Sequence, residues 1–223
     1  MDITKFDWGS SNEWYKDCIG KEVFDEKIYE RFFSVNNNDV VLDVGASIGI
    51  FTYSILDKNP SHVFCLEPSP EQFVTLNKNT LNGFVTCINK GMSNVDGIKT
   101  LNEVYGTDNK PLEVHTLRFD TLIKKYNIQQ IDFLKTDCEG GEYDIFTIQN
   151  LIWIKNNVKK IVGEWHLSTP TQKQQFREFR DVFLRLFNNY EIYSVDGANI
   201  KWDLWNEHFI QYYKQIIIYI DNR

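Results

Sequence analysis

The chain has 223 residues, enough for one α/β domain with a short extension, and its 42% hydrophobic and 25% charged content supports a large core and excludes global disorder. A formal net charge of −7 runs against the basic surface of a duplex nucleic-acid binder, so no nucleic-acid partner is expected. No apolar run approaches the ~18 residues of a membrane span, no basic-then-apolar leader opens the chain, and Cys18, Cys65, Cys87 and Cys138 form no CxxC pair, so a reduced cytoplasmic protein without membrane attachment is expected.

In chain order, Val23, Ile28, Phe32 and Phe33 share a face and predict a helix over "EVFDEKIYERFF". "VVLDV" (Val40–Val44) predicts a strand that ends at a glycine turn, and "GIFTYSILDK" a helix after it. "HVFCLEP" predicts a second strand. Ser69, Pro70 and Gln72 have the pattern of an N-cap, a first helical proline and a capping box, and Gly83 ends that helix. "FVTCIN" predicts a third strand; Cys65 and Cys87 read as packing residues. Between 93 and 120, "VDG" and "YGTDNKP" predict hairpin turns and "EVHTLRF" a strand. Asp120 is expected to cap the short helix "TLIKKY".

"IDFLKTD" predicts a buried strand, "EYDIFTIQNLI" a helix and "KKIVGEWH" another strand. Lys124–Lys125 and Lys159–Lys160 read as solvated element ends. Thr169, Pro170 and Gln172 repeat the capping pattern before a helix over "TQKQQFREFRDVFLRLF". "YEIYSVDG" and "KQIIIYI" close the chain as strands joined by an aromatic-rich connection. Alternating strands and helices predict a mostly parallel sheet covered on both faces, with ligands at the carboxyl ends of its strands. The closing strands lack a clear helix between them, which admits one antiparallel strand.

"LDVGASIGIF" places Asp43, Gly45, Ser47 and Gly49 at a strand-to-helix turn, where small residues let a ligand approach the backbone. Glu67 ends the next strand, about 20 residues on, where an acid accepts ribose hydroxyls. The spacing is not the G-x-G-x-x-G of a dinucleotide site. A carboxylate such as Asp43 repels a pyrophosphate and suits an amino group. That favours the amino-acid end of S-adenosylmethionine.

These residues resemble a family. "VVLDVGASIGIFT", "CLEPSP", "TLRFDTL" and "IDFLKTDCEGGEYDIF" are similar to the successive motifs of FkbM-type S-adenosylmethionine-dependent methyltransferases, in order and spacing, through "IVGEWH". The resemblance covers roughly residues 38–167. Ser47 stands where that family often has Asn, and Cys138 where it usually has an aliphatic residue. The resemblance implies a doubly wound, Rossmann-like, seven-stranded and mostly parallel sheet, with an antiparallel last strand and helices on both faces. A methyltransferase domain over 38–223 is expected; residues 1–37, an extension, fall outside the resemblance and are expected, with residues 93–119 and "WDLWNEHFIQYY", to roof the acceptor site as a cap. The resemblance also implies that Asp43 and the turn of Gly45, Ala46, Ser47 and Gly49 face the methionine part of S-adenosylmethionine. Glu67 would face the ribose, and Gly91 and Met92 would lie near adenine; packing alone is the competing reading of Met92. The implied acceptor is a small molecule or saccharide.

In the implied sheet, Asp137 and His166 end neighbouring strands, roughly 4.8 Å apart. Alternation puts Lys135 with Asp137, and Glu164 with His166, away from Trp165. His166 is expected to be a general base near neutrality, Asp137 to orient it or take the proton itself, and Glu139 to bind substrate hydroxyls. Glu142 and Asp144 are expected to serve the dipole of the following helix, and Lys135 to neutralise a neighbouring carboxylate. Asp137, Glu164 and His166 also make an incomplete ligand set for a divalent ion; the leading expectation is no metal. Trp202, Trp205, Tyr212 and Tyr213 are either a sugar-stacking surface or packing residues. A nicotinamide-dependent oxidoreductase and a non-catalytic binding module are the competing functions.

Overall fold

The computed structural model describes residues 3–101 and 111–223. The turn expected over residues 105–111 lies outside them except for Pro111. Strands β1 (Val40–Val44), β2 (His62–Leu66) and β3 (Val85–Ile88) are short runs separated by helices. Strands β4 (Gly91–Met92), β5 (Gly97–Leu101) and β6 (Leu112–Leu117) form a separate three-stranded sheet. Strands β7 (Ile131–Thr136), β8 (Val158–His166), β9 (Tyr190–Ser194) and β10 (Gln215–Asp221) complete the main sheet. Among the described residues its order is β3-β2-β1-β7-β8-β10-β9. The first five are mutually parallel, and β10 runs antiparallel to both neighbours. The last strand is therefore the antiparallel one, slotted between β8 and β9.

The helices are α1 (Glu13–Gly20), α2 (Ile50–Ile55), α3 (Pro70–Asn79), α4 (Phe119–Lys125), α5 (Glu142–Ile145), α6 (Ile148–Asn157), α7 (Pro170–Glu178) and α8 (Glu207–Tyr212). Both N-caps form: Ser69 accepts from the Gln72 amide with Pro70 in the first turn, and Thr169 with Gln172 makes a complete reciprocal box. No helix among the described residues is long and apolar enough to cross a membrane.

The sheet has a core on each face. One gathers Leu42, Leu134, Ile161 and Trp165 under α4 to α7. The other gathers Val41, Phe133, Val162 and Tyr219 under α2 and the N-terminal segment, which contributes Phe6, Val23, Ile28, Tyr29, Phe33 and Val35. Alternation then assigns Asp43, Lys135, Asp137, Glu164 and His166 to the face that the N-terminal segment covers. This placement positions the site.

Several local expectations are corrected. "EVFDEKIYERFF" is not one helix: a wide turn over Lys21–Asp25 and a 3₁₀ turn over Ile28–Glu30 meet at Lys27, which has a left-handed backbone. Val23, Ile28 and Phe33 still face the core, while Phe32 is exposed. The helix after β7 breaks at Thr147, whose backbone is extended, so α5 is a single turn. The helix after Thr169 widens at Phe179–Phe183, where Phe179 and Phe183 meet Phe146 edge-on and Phe179 also contacts Trp165 and Phe176. Asp120 is not a cap. Arg118 holds that position, and Asp120 pairs with Arg118 and Lys124 in the first turn. Lys160 is not solvated: it is buried, 2.7 Å from Asp39 and donating to the Ser34 carbonyl. Its register on β8 points it under the N-terminal segment.

Candidate active site

The β1 turn and the β7 turn touch. Gly45 has φ +76°, and a Cβ there would fall 1.8 Å from the Asp137 carbonyl oxygen. Only glycine permits that approach. The amides of Gly45 and Ala46 both donate to the Leu66 carbonyl, 3.0 and 2.9 Å away, which pulls the turn onto the end of β2. Glu67 follows. Its Oε2 accepts from the Ser47 amide at 2.9 Å and its Oε1 from the Ser69 amide at 2.7 Å. Burial pushes the Glu67 carboxyl up to about 7, although both amides and Lys135 pull it back.

Asp43 lies beneath the turn, fully buried. Its Oδ2 accepts from the Thr52 hydroxyl at 2.8 Å, and its Oδ1 lies 3.2 Å from Lys135 Nζ. Lys135 also donates to the Gly45 carbonyl at 2.8 Å. Burial opposes its charge, but Asp43 and Asp137 overcome that and hold the ammonium above the usual lysine range. Lys135 thus neutralises a carboxylate as expected, and its partner is on the adjacent strand. Met92 packs its side chain into the core, and Gly91 pairs with Thr116 on β6.

At the ends of β7 and β8, Asp137, Glu139 and His166 each offer a ligand atom within 4.8 Å of the other two. The expected direct orienting of His166 by Asp137 is corrected. His166 Nδ1 lies 3.1 Å from Glu142 Oε1, which also accepts from the His166 amide at 2.7 Å. Glu142 Oε2 accepts from the Gly140 amide at 2.8 Å. Glu142 is fully buried, so its role is to clamp the imidazole and the glycine turn together rather than to serve a helix dipole. The imidazole Nε2 faces Glu139 at 3.3 Å and Glu164 at 3.7 Å.

A near-neutral His166 is corrected too. Burial pushes it down, but the bond to Glu142 and the charges of Glu142, Asp137 and Glu139 raise it to about 10. In the free protein it carries a proton at neutral pH and donates. Glu164 moves upward through burial and the charge of Asp137. Asp144 pairs with Lys99 on β5, 3.7 Å away.

Two site phenols come from the N-terminal segment, which the sequence reading could not place. Tyr29 donates to Asp137 Oδ2 at 2.9 Å, and Tyr15 shares a 3.0 Å hydrogen bond with Ser47 Oγ. Burial, then nearby carboxylates, push the Tyr29 phenol well up, so it stays a donor. Trp202 and Tyr212 are exposed, and Trp205 lies under the Arg185 guanidinium at 4.3 Å. Helix α8 leads to Gln215, which pairs with His166 across the sheet.

A glycine turn after β1, an acid after β2 and an acid–imidazole cluster after β7 and β8 define a Rossmann-like α/β enzyme domain with its site at the carboxyl edge. Residues 43–192 match the methyltransferase FkbM domain, and the chain belongs to that family. This displaces the nicotinamide-dependent alternative. The chain is 25% identical over 160 residues to the hexuronic acid methyltransferase AglP of Haloferax volcanii, covering 61% of this chain and 66% of that protein, just under two thirds of its length. Among solved structures, it is similar to an O-methyltransferase from Bacillus cereus in complex with SAH (13% identity, TM-score 0.47, 98% of this chain and 86% of that one). It is also similar to precorrin 8w decarboxylase from Methanobacterium thermoautotrophicum (17% identity, TM-score 0.46, 95% and 91%). Structural likeness at this level does not bear on substrate; the strand order defines the fold.

Proposed function

We propose that this chain transfers the methyl group of S-adenosylmethionine to a hydroxyl of a small molecule, most fittingly a saccharide. The observation that carries the reading is the contact of the two turns: Gly45 sits directly against the Asp137 carbonyl, so a cofactor on one turn would meet an acceptor on the other. The residues present fit the cofactor. A carboxylate has about four acceptor sites, and amides fill one on each Glu67 oxygen. The remainder would take ribose hydroxyls. Gly45, Ala46, Ser47 and Gly49 would hold the methionine part, and Gly91 with Met92 would border the adenine. Asp43 acts there through Lys135, which it holds against the Gly45 carbonyl. When bound, the cofactor supplies an electrophilic sulfonium methyl.

The chain's own residues then align the acceptor and receive its proton. Alignment of this kind supplies ~7–11 kcal/mol, and a general base typically adds ~10²–10⁴-fold. With no cation bound, His166 is protonated and donates to acceptor oxygens, while Glu139 accepts from acceptor hydroxyls. Asp137, steadied by Tyr29 on one oxygen, is placed to take the proton on the other. The saccharide class is supported by the AglP relative, whose name specifies a hexuronic acid. Residues 1–37 act as the cap, through Tyr15 and Tyr29.

The test is calorimetric titration of S-adenosylmethionine into the wild type and Glu67→Ala. Mass spectrometry then follows methyl gain on hexoses and hexuronic acids. Saturable binding that Glu67→Ala weakens at least about tenfold is expected, the loss of a charge-assisted pair of contacts. A wild type that shows no saturable binding would end the reading.

A further inference from the structure

Asp137, Glu139 and His166 come from one turn and the neighbouring strand end, yet their ligand atoms all lie within 4.8 Å of one another. We propose that these three side chains form a site for a hard divalent cation, best matched by Mn²⁺, with open positions for oxygen donors. If those donors belong to the acceptor, that clause rests on the methyl-transfer reading above; the ion site itself does not.

Three observations carry it. The first is the imidazole. Glu142 bonds both Nδ1 and the amide of His166, which fixes the ring and leaves Nε2 directed at Glu139 and Glu164. A ligating histidine typically has its other nitrogen held by such a carboxylate, which fixes ring and tautomer. The second is charge. Glu139, Glu142 and Glu164 lie within 3.7 Å of that one imidazole and Asp137 offers an atom within 4.8 Å, while Lys135, the nearest ammonium on β7, is held by Asp43 and the Gly45 carbonyl and reaches Asp137 only through space. A dication at Nε2, in place of its proton, offsets two of those negative charges where the proton offsets one. The third is the donor set. Two carboxylates and one imidazole suit Mn²⁺ better than a thiophilic ion. The Cys138 thiol is turned toward Thr136 and Glu142 instead.

The geometry needs only a small adjustment. Bonds of ~2.1 Å bring ligand atoms to about 3–4 Å of one another. Glu139 is half-exposed on its turn and can close that gap by changing rotamer. Tyr29 on Asp137 and Glu142 on His166 orient the other two ligands.

The full chain, stripped with chelator, is titrated with MnCl₂ while free Mn²⁺ is read by electron paramagnetic resonance. One saturable site per chain is expected. Glu139→Gln and His166→Gln should each weaken it at least about tenfold, and Glu142→Gln by ~10–100-fold. Glu139→Gln changes an exposed side chain, so its fold is retained and its result is readable by circular dichroism alongside. Glu178→Gln, on α7, should bind as the wild type does. Absence of a saturable site, or equal binding by Glu139→Gln and His166→Gln, overturns the proposal. S-adenosylmethionine titrated in parallel separates the two readings. Cofactor binding without Mn²⁺ binding ends this proposal alone, and the reverse ends the methyl-transfer reading alone.

Discussion

Glu67 is nearly sealed at the end of β2, and both of its oxygens accept from amides. Its carboxyl sits at about 7 because burial penalises the charge. Ribose hydroxyls donate to the ionised form, so cofactor binding should favour ionisation. The sign follows: affinity is full above about pH 7 and falls as pH drops below it, by up to tenfold per unit. Calorimetry from pH 5.5 to pH 8 would check this, and Glu67→Gln should flatten the profile. A flat wild-type profile would remove Glu67 from the ribose role. Asp43 makes a poorer probe, because its loss strands a buried Lys135 and destabilises the fold itself. At this scale the sequence was partly legible. Alternation paired Lys135 with Asp137 and Glu164 with His166, and the strand order implied by the resemblance set the two pairs side by side. Glu142 was misread because its position in a first helical turn has a bland explanation. The available signal was the glycine pair before it, since Gly140 turns the chain so that its amide meets that carboxylate.

The N-terminal segment is the element whose role pattern reading missed. Its apolar positions were legible, but its backbone changes hand at Lys27, which no helical periodicity anticipates. Its contacts are also long-range: Tyr29 meets Asp137 and Tyr219 bonds the Ile28 carbonyl. Strand and cap signals, by contrast, are local, which is why β1, β2, β7, β8 and both capped helices could be read directly. The boundary at residue 38 can be tested. Phe6, Val23, Ile28, Tyr29, Phe33 and Val35 are all buried. At ~1.5–3 kcal/mol each, six such side chains amount to about 9–18 kcal/mol, an upper estimate comparable with a typical domain's ~5–15 kcal/mol. A fragment of residues 38–223 should therefore lose cooperative unfolding and bind a hydrophobic dye. A sigmoidal thermal transition with retained cofactor binding would instead show a separable cap.

At the scale of the whole molecule, charge constrains the acceptor. The chain carries −7 overall, and its site edge is lined by Asp137, Glu139 and Glu164. An anionic sugar approaches against that field, whereas a neutral hexose does not. Screening shortens the reach of the field to about 10 Å at 0.1 M salt. For a hexuronic acid, kcat/KM should thus rise as NaCl goes from roughly 0.02 to 0.2 M, while a neutral hexose of the same stereochemistry stays flat. Mn²⁺ at the acidic edge should give the hexuronic acid a further gain that NaCl cannot reproduce, because a bound dication cancels carboxylate charge at the site rather than screening it. Parallel initial-rate measurements on the two sugars, with salt and Mn²⁺ varied separately, decide the point. A hexuronic acid rate that falls with salt would mean that a local basic surface recruits the acceptor, and the acidic edge would then not govern its approach.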